Sequence, residues 1–373
     1  MKIIFIIYYI AISTIKSSII PVKYTYINNQ MTFQIKKSKQ IVNCLVSTSS
    51  PNNYIPLHIN DQSQSKRKND YNDPNFSIFD EFKGKTPVMK YDDWFFIEKN
   101  EFIMKYYVDP KINICIISFS KSSNENLISA LYINKKINNT VFGIKSDEEN
   151  DNSGILYLGG LPEKEKKGLD LYIYKYSFFQ NFFEKNKWYL PIESGSLQTK
   201  TNTFNINLFC EGYISTLKEE IFIPPIFNEF LYNNIMGFYI KQESCNYENK
   251  NLFCDCKTLN EIKGFEKIYL KIDELRLEFK IEDIFVNKGE KCFFAFKVHN
   301  ENYFILGKNF WKKYKMEFFQ NEKIILYSKK KFIIEKTSSF INSKMYIIIF
   351  FIIICTICFF CCYSSKKIKN KND

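Results

Sequence analysis

The chain has 373 residues, 45% of them hydrophobic and 25% charged, a balance that belongs to globular proteins and excludes collagen-like and disordered chains. Its two histidines, His58 and His299, lie far apart, which excludes a His-rich zinc site and argues against a Ser-His-Asp triad. The formal net charge of +12 comes from lysines scattered among acids. With no basic-aromatic stripe and no zinc-finger spacing, that charge does not point to nucleic acid. No cofactor and no metal are expected. Ile, Lys, Asn, Phe and Tyr recur throughout, the imprint of an A/T-rich coding bias.

Lys2 is followed by an apolar run, Ile3 to Ile12, and then by small residues up to Ser18. This is the layout of a secretory signal peptide over 1–18, and the run is too short to span a bilayer. From Tyr24 to about Lys331 short apolar runs alternate with Asn, Lys, Ser and Gly. Ile114–Ile117, Ile155–Leu158, Phe293–Phe296 and Tyr303–Leu306 have strand length, and helical turns are expected at Asn126–Leu131, Ile226–Tyr232 and Asn309–Tyr314. The class is mostly β. Polar Asp61 to Asn75 reads as an exposed loop, and Asn75 and Asn138 head glycosylation sequons.

Cys44, Cys115, Cys210, Cys245, Cys254, Cys256 and Cys292 precede the last apolar run, and their odd number leaves at least one thiol unpaired. Cys254-Asp255-Cys256 is too tight for a zinc knuckle without further ligands. Met345 to Tyr363 carries no charge and has the length of one transmembrane helix. Lys366, Lys367, Lys369 and Lys371 follow it, which places the tail 364–373 in the cytoplasm and argues against a glycolipid-anchor signal. Cys361 and Cys362 read as apolar membrane residues, with acylation as the alternative. The expectation is a single-pass type I membrane protein of the secretory pathway or cell surface. Its main domain is luminal or extracellular, with 336–344 as juxtamembrane linker.

The order of the middle segments resembles the pepsin-like aspartic peptidases, family A1. Gln40–Val46, Ser47-Thr48-Ser49-Ser50 and Tyr54-Ile55-Pro56 are similar to that family's first strand, Asp-Thr-Gly-Ser loop and Trp-Val-Pro continuation. Asn113–Ser120 with Asn126–Leu131 resembles its Asp-Gly-Ile-Leu-Gly-Leu segment and following helix. Ser153–Gly160 resembles the central Gly-Leu-Thr-Phe-Gly-Gly signature, and Trp188-Tyr189 the aromatic that opens the second lobe. Tyr213–Glu219, Ile221–Pro224 and Ile226–Leu231 are similar to the second Asp-Thr-Gly loop, its turn and its helix. Tyr303–Gly307 with Phe310–Tyr314 resembles the family's closing segment. The resemblance implies a bilobal β fold with a cleft, an N-terminal lobe over 19–152 with a shortened flap region, and central strands plus a C-terminal lobe over 153–335. It also implies a Cys256–Cys292 disulfide, with Cys254 as the other candidate partner.

The family's chemistry needs two aspartates sharing a proton across a water. Both matching positions are serine, Ser47 and Ser215, and a neutral alcohol supplies neither the base nor the shared charge. Thr48 and Thr216 match the threonines that brace the two loops, and with the serines they would line the cleft. The turn glycines are replaced by Ser49 and Leu217, and no glycine precedes Gly84. The nearest sequence to a flap tip is Tyr91-Asp92-Asp93-Trp94, which lacks Gly. Glu193 and Glu211 are the acids a divergent peptidase could use; Asp92-Asp93 reads as a solvated pair. The resulting expectation is an inactive pepsin-like membrane protein whose cleft binds an extended peptide or a partner protein. The alternatives are a divergent membrane-anchored endopeptidase and a structural surface protein with a closed cleft.

Overall fold

The computed structural model describes residues 18–334 apart from 29, 51, 57–88, 109–111, 113, 122–124, 151, 177–186, 200, 249–250, 258–264 and 321. The expected signal sequence up to residue 17, the linker 336–344, the apolar run Met345–Tyr363, the basic tail and Asn75 lie outside the described residues. Among those described, no helix is long and apolar enough to cross a membrane.

Alternating side chains build the first sheet. In β1 (Ile20–Ile27), Ile20, Val22 and Tyr24 point inward while Pro21, Lys23 and Thr25 face out, the period-two pattern of a half-buried strand. Asn28, at φ 51°, turns the chain into β2 (Gln30–Lys37), a conformation that Asn tolerates better than most residues. The sheet continues with β3 (Gln40–Ser47), β4 (Met89–Ile97), β5 (Asn100–Val108), β6 (Cys115–Ser118), β7 (Val141–Ser146), β8 (Ser153–Leu158) and β9 (Asp170–Lys175). Its main path runs β5-β4-β2-β1-β8-β7-β21-β22-β9, with β3 pairing β2 and β6. β21 (Lys315–Phe319) and β22 (Lys323–Ser328) thus return from the end of the chain and insert between β7 and β9. The boundary expected at 152/153 falls in the β7–β8 turn, inside this sheet.

The second sheet holds β10 (Tyr189–Thr199), β11 (Thr203–Ile214), β12 (Ile221–Ile223), β15 (Phe265–Ile272), β16 (Leu275–Lys280), β19 (Phe296–Val298), β20 (Phe304–Leu306) and β23 (Ile333–Ile334). A small third sheet joins β13 (Cys245–Glu248), β14 (Asn251–Asp255), β17 (Phe285–Lys288) and β18 (Lys291–Phe294). Disulfides Cys245–Cys254 and Cys256–Cys292 tie it, and Cys44–Cys115 ties β3 to β6. Among the described residues, Cys210 is the free cysteine. Three disulfides belong to an oxidising compartment such as the secretory pathway.

The helices expected from sequence form at Leu127–Ile133, Pro225–Leu231 and Lys308–Trp311. Asn126 caps the first by accepting from the Ser129 amide at 2.8 Å. Between the sheets, Trp188 is fully buried; it meets Phe142 and Phe318 edge-on, and those two rings stack at 4.5 Å.

A polar brace sits under β7, β21 and β22. Glu165 takes Lys145 and Lys315 at 2.9 and 2.7 Å. Buried Glu317 accepts from the Leu161 amide at 2.8 Å and the Tyr327 hydroxyl at 2.6 Å, and pairs with Lys166 at 3.2 Å. Burial alone would raise the Glu165 pKa, but the hydrogen bonds and charges of Lys315 and Lys145 outweigh it and hold the carboxyl at about 2. Because this lies below the value of an unfolded Glu, about 4.3, the stabilisation is complete above that pH and is lost as pH falls toward 2. Denaturant midpoints measured from pH 6 to 2 should fall across that window, and Glu165→Gln should flatten the fall by one group's share.

Candidate functional site

The same local topology occurs twice. β3 runs parallel to β6 with Ser47 opposite Ser118, and β11 runs parallel to β20 with Ile214 opposite Leu306. In the first half Tyr54 then bridges antiparallel to Ile116 and parallel to Tyr107 of β5. In the second, β12 lies antiparallel to β20 and parallel to β19. Each unit therefore delivers a Ser-Thr pair from the end of a buried strand into a loop trapped between two further strands. A helix follows each, Leu127–Ile133 after β6 and Lys308–Trp311 after β20. The second helix starts at Gly307, where a Cβ would run into the backbone carbonyls of Lys218 and Glu220.

The two loops meet through their threonines. The Thr48 hydroxyl donates to the Ile214 carbonyl at 2.8 Å, and the Thr216 hydroxyl donates to the Val46 carbonyl at 2.6 Å. Each acceptor immediately precedes the other loop's serine, so the brace is reciprocal. The Met31 amide, near the start of β2, reaches the Thr216 carbonyl at 3.3 Å. The Trp311 indole donates to the Ser215 carbonyl at 3.1 Å.

Ser47 and Ser215 are 0% and 1% exposed. Their hydroxyl oxygens are turned into their own loops. Ser47 Oγ accepts from the amides of Ser50 at 2.9 Å and Ser49 at 3.4 Å, and Ser215 Oγ accepts from the Leu217 amide at 3.3 Å. Serine does this readily because its short side chain reaches backbone groups two or three residues on. Leu217, 5% exposed, packs in one apolar cluster with Leu45, Tyr54, Ile112 and Ile116 of the first lobe. The second-lobe loop thus pushes an isobutyl group across the lobe boundary.

The acids singled out in the sequence are engaged elsewhere. Glu193 pairs with Lys271 at 2.9 Å across β10 and β15. Glu211 accepts from the Tyr213 hydroxyl on its own strand. Its neighbour Cys210 is held as a thiol: burial, with the Glu211 charge adding to it, pushes its pKa up to about 12. Asp93, its side chain partly exposed, pairs with buried Lys37 at 3.2 Å, while Asp92 is exposed. Tyr91–Trp94 lies along β4, whose hairpin tip is Glu98-Lys99, so it is not a flap tip. Asn138 is exposed in the connection from the helix Leu127–Ile133 to β7.

A buried polar network under the first loop has no signature in the sequence. Asn53 accepts from the Ser118 amide at 2.8 Å and donates to the carbonyls of Lys105 and Glu125 at 2.9 and 2.6 Å. The Ser118 hydroxyl donates to the Ser50 carbonyl at 2.5 Å. Beside it Lys121, 1% exposed, places Nζ 3.5 Å from the centre of the Tyr176 ring.

Two parallel-strand loops, joined by reciprocal threonine bonds between two β lobes, define the pepsin-like class of bilobal proteins. The chain belongs to that family: the family model "Eukaryotic aspartyl protease" matches residues 98–329, a range that contains Ser215-Thr216 but not Ser47-Thr48. Among solved structures, the chain is similar to an aspartic proteinase from Irpex lacteus. The match has a TM-score of 0.59 at 11% identity, over 83% of this chain and 97% of that one, a likeness of fold alone. No curated protein matches the chain.

Replacing either threonine by Val removes one donor and leaves a buried carbonyl unpaired, which costs about 1–3 kcal/mol. Thr48→Val and Thr216→Val should each lower the unfolding free energy in denaturant by that amount. The double variant should lose less than the sum, because the two bonds share one geometry.

Proposed function

We propose that this chain is a membrane-anchored, catalytically inactive aspartyl protease homologue that binds an extended peptide or a partner protein without hydrolysing it. The observation that carries the reading is the chemistry of Ser47 and Ser215 at the two braced loop positions. Peptide hydrolysis by this family's route requires one carboxylate to take a proton from water while the other donates one. Two alcohols, each already accepting from its own loop's amides, do neither. Leu217 adds a steric argument, since it fills space next to the loops with apolar surface.

A divergent peptidase would need an acid from each lobe. Glu193 and Glu211 both come from the second, on adjacent strands, and each has a partner. A structural protein with a closed cleft is the second reading, and the Leu217 cluster favours it. Anchoring by Met345–Tyr363, with the disulfide-bearing lobes on the luminal or extracellular side, rests on the apolar run and the lysines after it.

The test uses the full chain purified in neutral detergent. Incubation with a peptide library from pH 3 to 7, with and without pepstatin, should yield no pepstatin-sensitive product by mass spectrometry. Ser47→Asp combined with Ser215→Asp should also stay silent, because Ser49 and Leu217 still occupy the turn positions. Specific, pepstatin-blocked cleavage by the unaltered chain would overturn the inactive reading. Retention of library peptides by the folded chain without cleavage supports a binding groove, and absence of retention supports the closed one.

A further inference from the structure

A cavity of about 460 Å³ lies away from the threonine-braced loops, at the seam between the two sheets, a size that suits a small ligand. One wall is β16. Another is the stretch Lys312–Lys315, after the helix that follows β20. The rim is the connector from β22 to β23, which leaves the first sheet at Ser328 and joins the second by pairing Ile333 with Arg276. Phe332 holds this connector at its β23 end as well: its amide donates to Asp170 at 2.7 Å, and its ring stacks on Tyr314 at 6.0 Å. The cavity is therefore built into the fold.

Its lining carries eight lysine or arginine residues and three acids, a balance of five positive charges; one of the eight cations, Lys315, is already paired with Glu165 at 2.7 Å. The acids are matched by short ion pairs, Asp283 with Lys313 at 2.8 Å, Glu148 with Lys329 at 2.6 Å and Glu278 with Lys267 at 3.2 Å. Lys280, Lys330 and Lys331 add charge along the mouth, and Arg276 lays its guanidinium 3.7 Å from the centre of the Tyr269 ring. A planar fork with its orientation set by stacking suits a phosphate group. Buried Tyr327 and the half-buried Phe332 line the cavity, and such apolar walls strengthen each charge interaction.

We propose that this seam cavity binds a phosphate-bearing anion of at least two charges, supplied either as a free oligophosphate or as a lipid headgroup. Both sources share the chemistry that the cations recognise. The lipid source is within reach if Met345–Tyr363 spans a membrane: the ten residues 335–344 extend at most about 35 Å. The site is independent of the cleft and of whether the chain hydrolyses peptides.

The experiment titrates the full chain in neutral detergent, at about 0.15 M salt, with inorganic pyrophosphate in one arm. The other arm uses micelles doped with a phosphatidylinositol phosphate. Lys280→Glu/Lys330→Glu/Lys331→Glu should weaken binding at least tenfold. Lys23→Glu/Lys99→Glu/Lys136→Glu makes the same change of net charge at a different cavity and should leave binding unchanged. If the first triple variant fails to fold, the three Gln replacements at the same positions take its place. Binding in both arms assigns a phosphate site open to soluble ligands, and binding only to doped micelles assigns a headgroup site. No binding to either probe at millimolar concentration, or equal loss in both triple variants, overturns the proposal.

Discussion

Two hydroxyl groups set the relation between the lobes. Thr48 and Thr216 each donate a hydrogen bond to the last strand carbonyl before the other's serine, so the two loops are positioned against each other. Both threonines are buried, where an unmade hydrogen bond costs the full desolvation of the orphaned carbonyl. The brace therefore constrains every residue within a turn of it, whatever chemistry those residues carry. It also sits one residue beyond Ser47 and Ser215, the two positions on which the proposed inactive reading rests.

Two of the three tryptophans, the buried pair, extend this constraint outward. Trp188 and Trp311 are fully buried and each satisfies its indole N–H on a backbone carbonyl near a loop, Phe119 for the first and Ser215 for the second. A buried indole is a large apolar body with one polar demand, so placing it fixes both packing and a backbone position. The return of β21 and β22 into the first sheet then ties residues 315–328 to β7 and β9. Residues of both lobes belong to one buried apolar cluster, and the basic cavity lies at the seam between the sheets.

Much of this was legible in the sequence because it depends on local pattern. β1 alternates, Asn126 stands where a cap belongs, and the six family-like segments occur in order. Ser47, Thr48, Ser215 and Thr216 could be picked out by their place in those segments. Pairing among seven cysteines was not readable from spacing, and the resemblance supplied only Cys256–Cys292; the others depend on register between β13 and β14 and between β3 and β6. Nor was the network of Asn53 and Ser118, whose partners are as many as 72 residues apart. The Leu217 cluster joins residues of both lobes, and no periodicity encodes a contact of that kind. The same holds for the seam cavity, whose cations come from several separate stretches of chain.

Leu217 and the serines form a consistent set on the inactive reading. A buried carboxylate pair carries mutual repulsion and a desolvation cost of several kcal/mol per ion. An aspartyl protease sustains that cost by keeping a polar, water-accessible pocket around the pair and glycine in the turns. With alcohols in place of the carboxylates neither expense arises, and the surroundings no longer need to be wet. An apolar side chain at the turn position then becomes an advantage, since burying a leucine contributes about 1.5–3 kcal/mol. On that reading, the loops' composition is the one that stability favours. A chain still performing that function would be poorly served by a leucine pressed against Tyr54 and Ile116 at the base of its cleft.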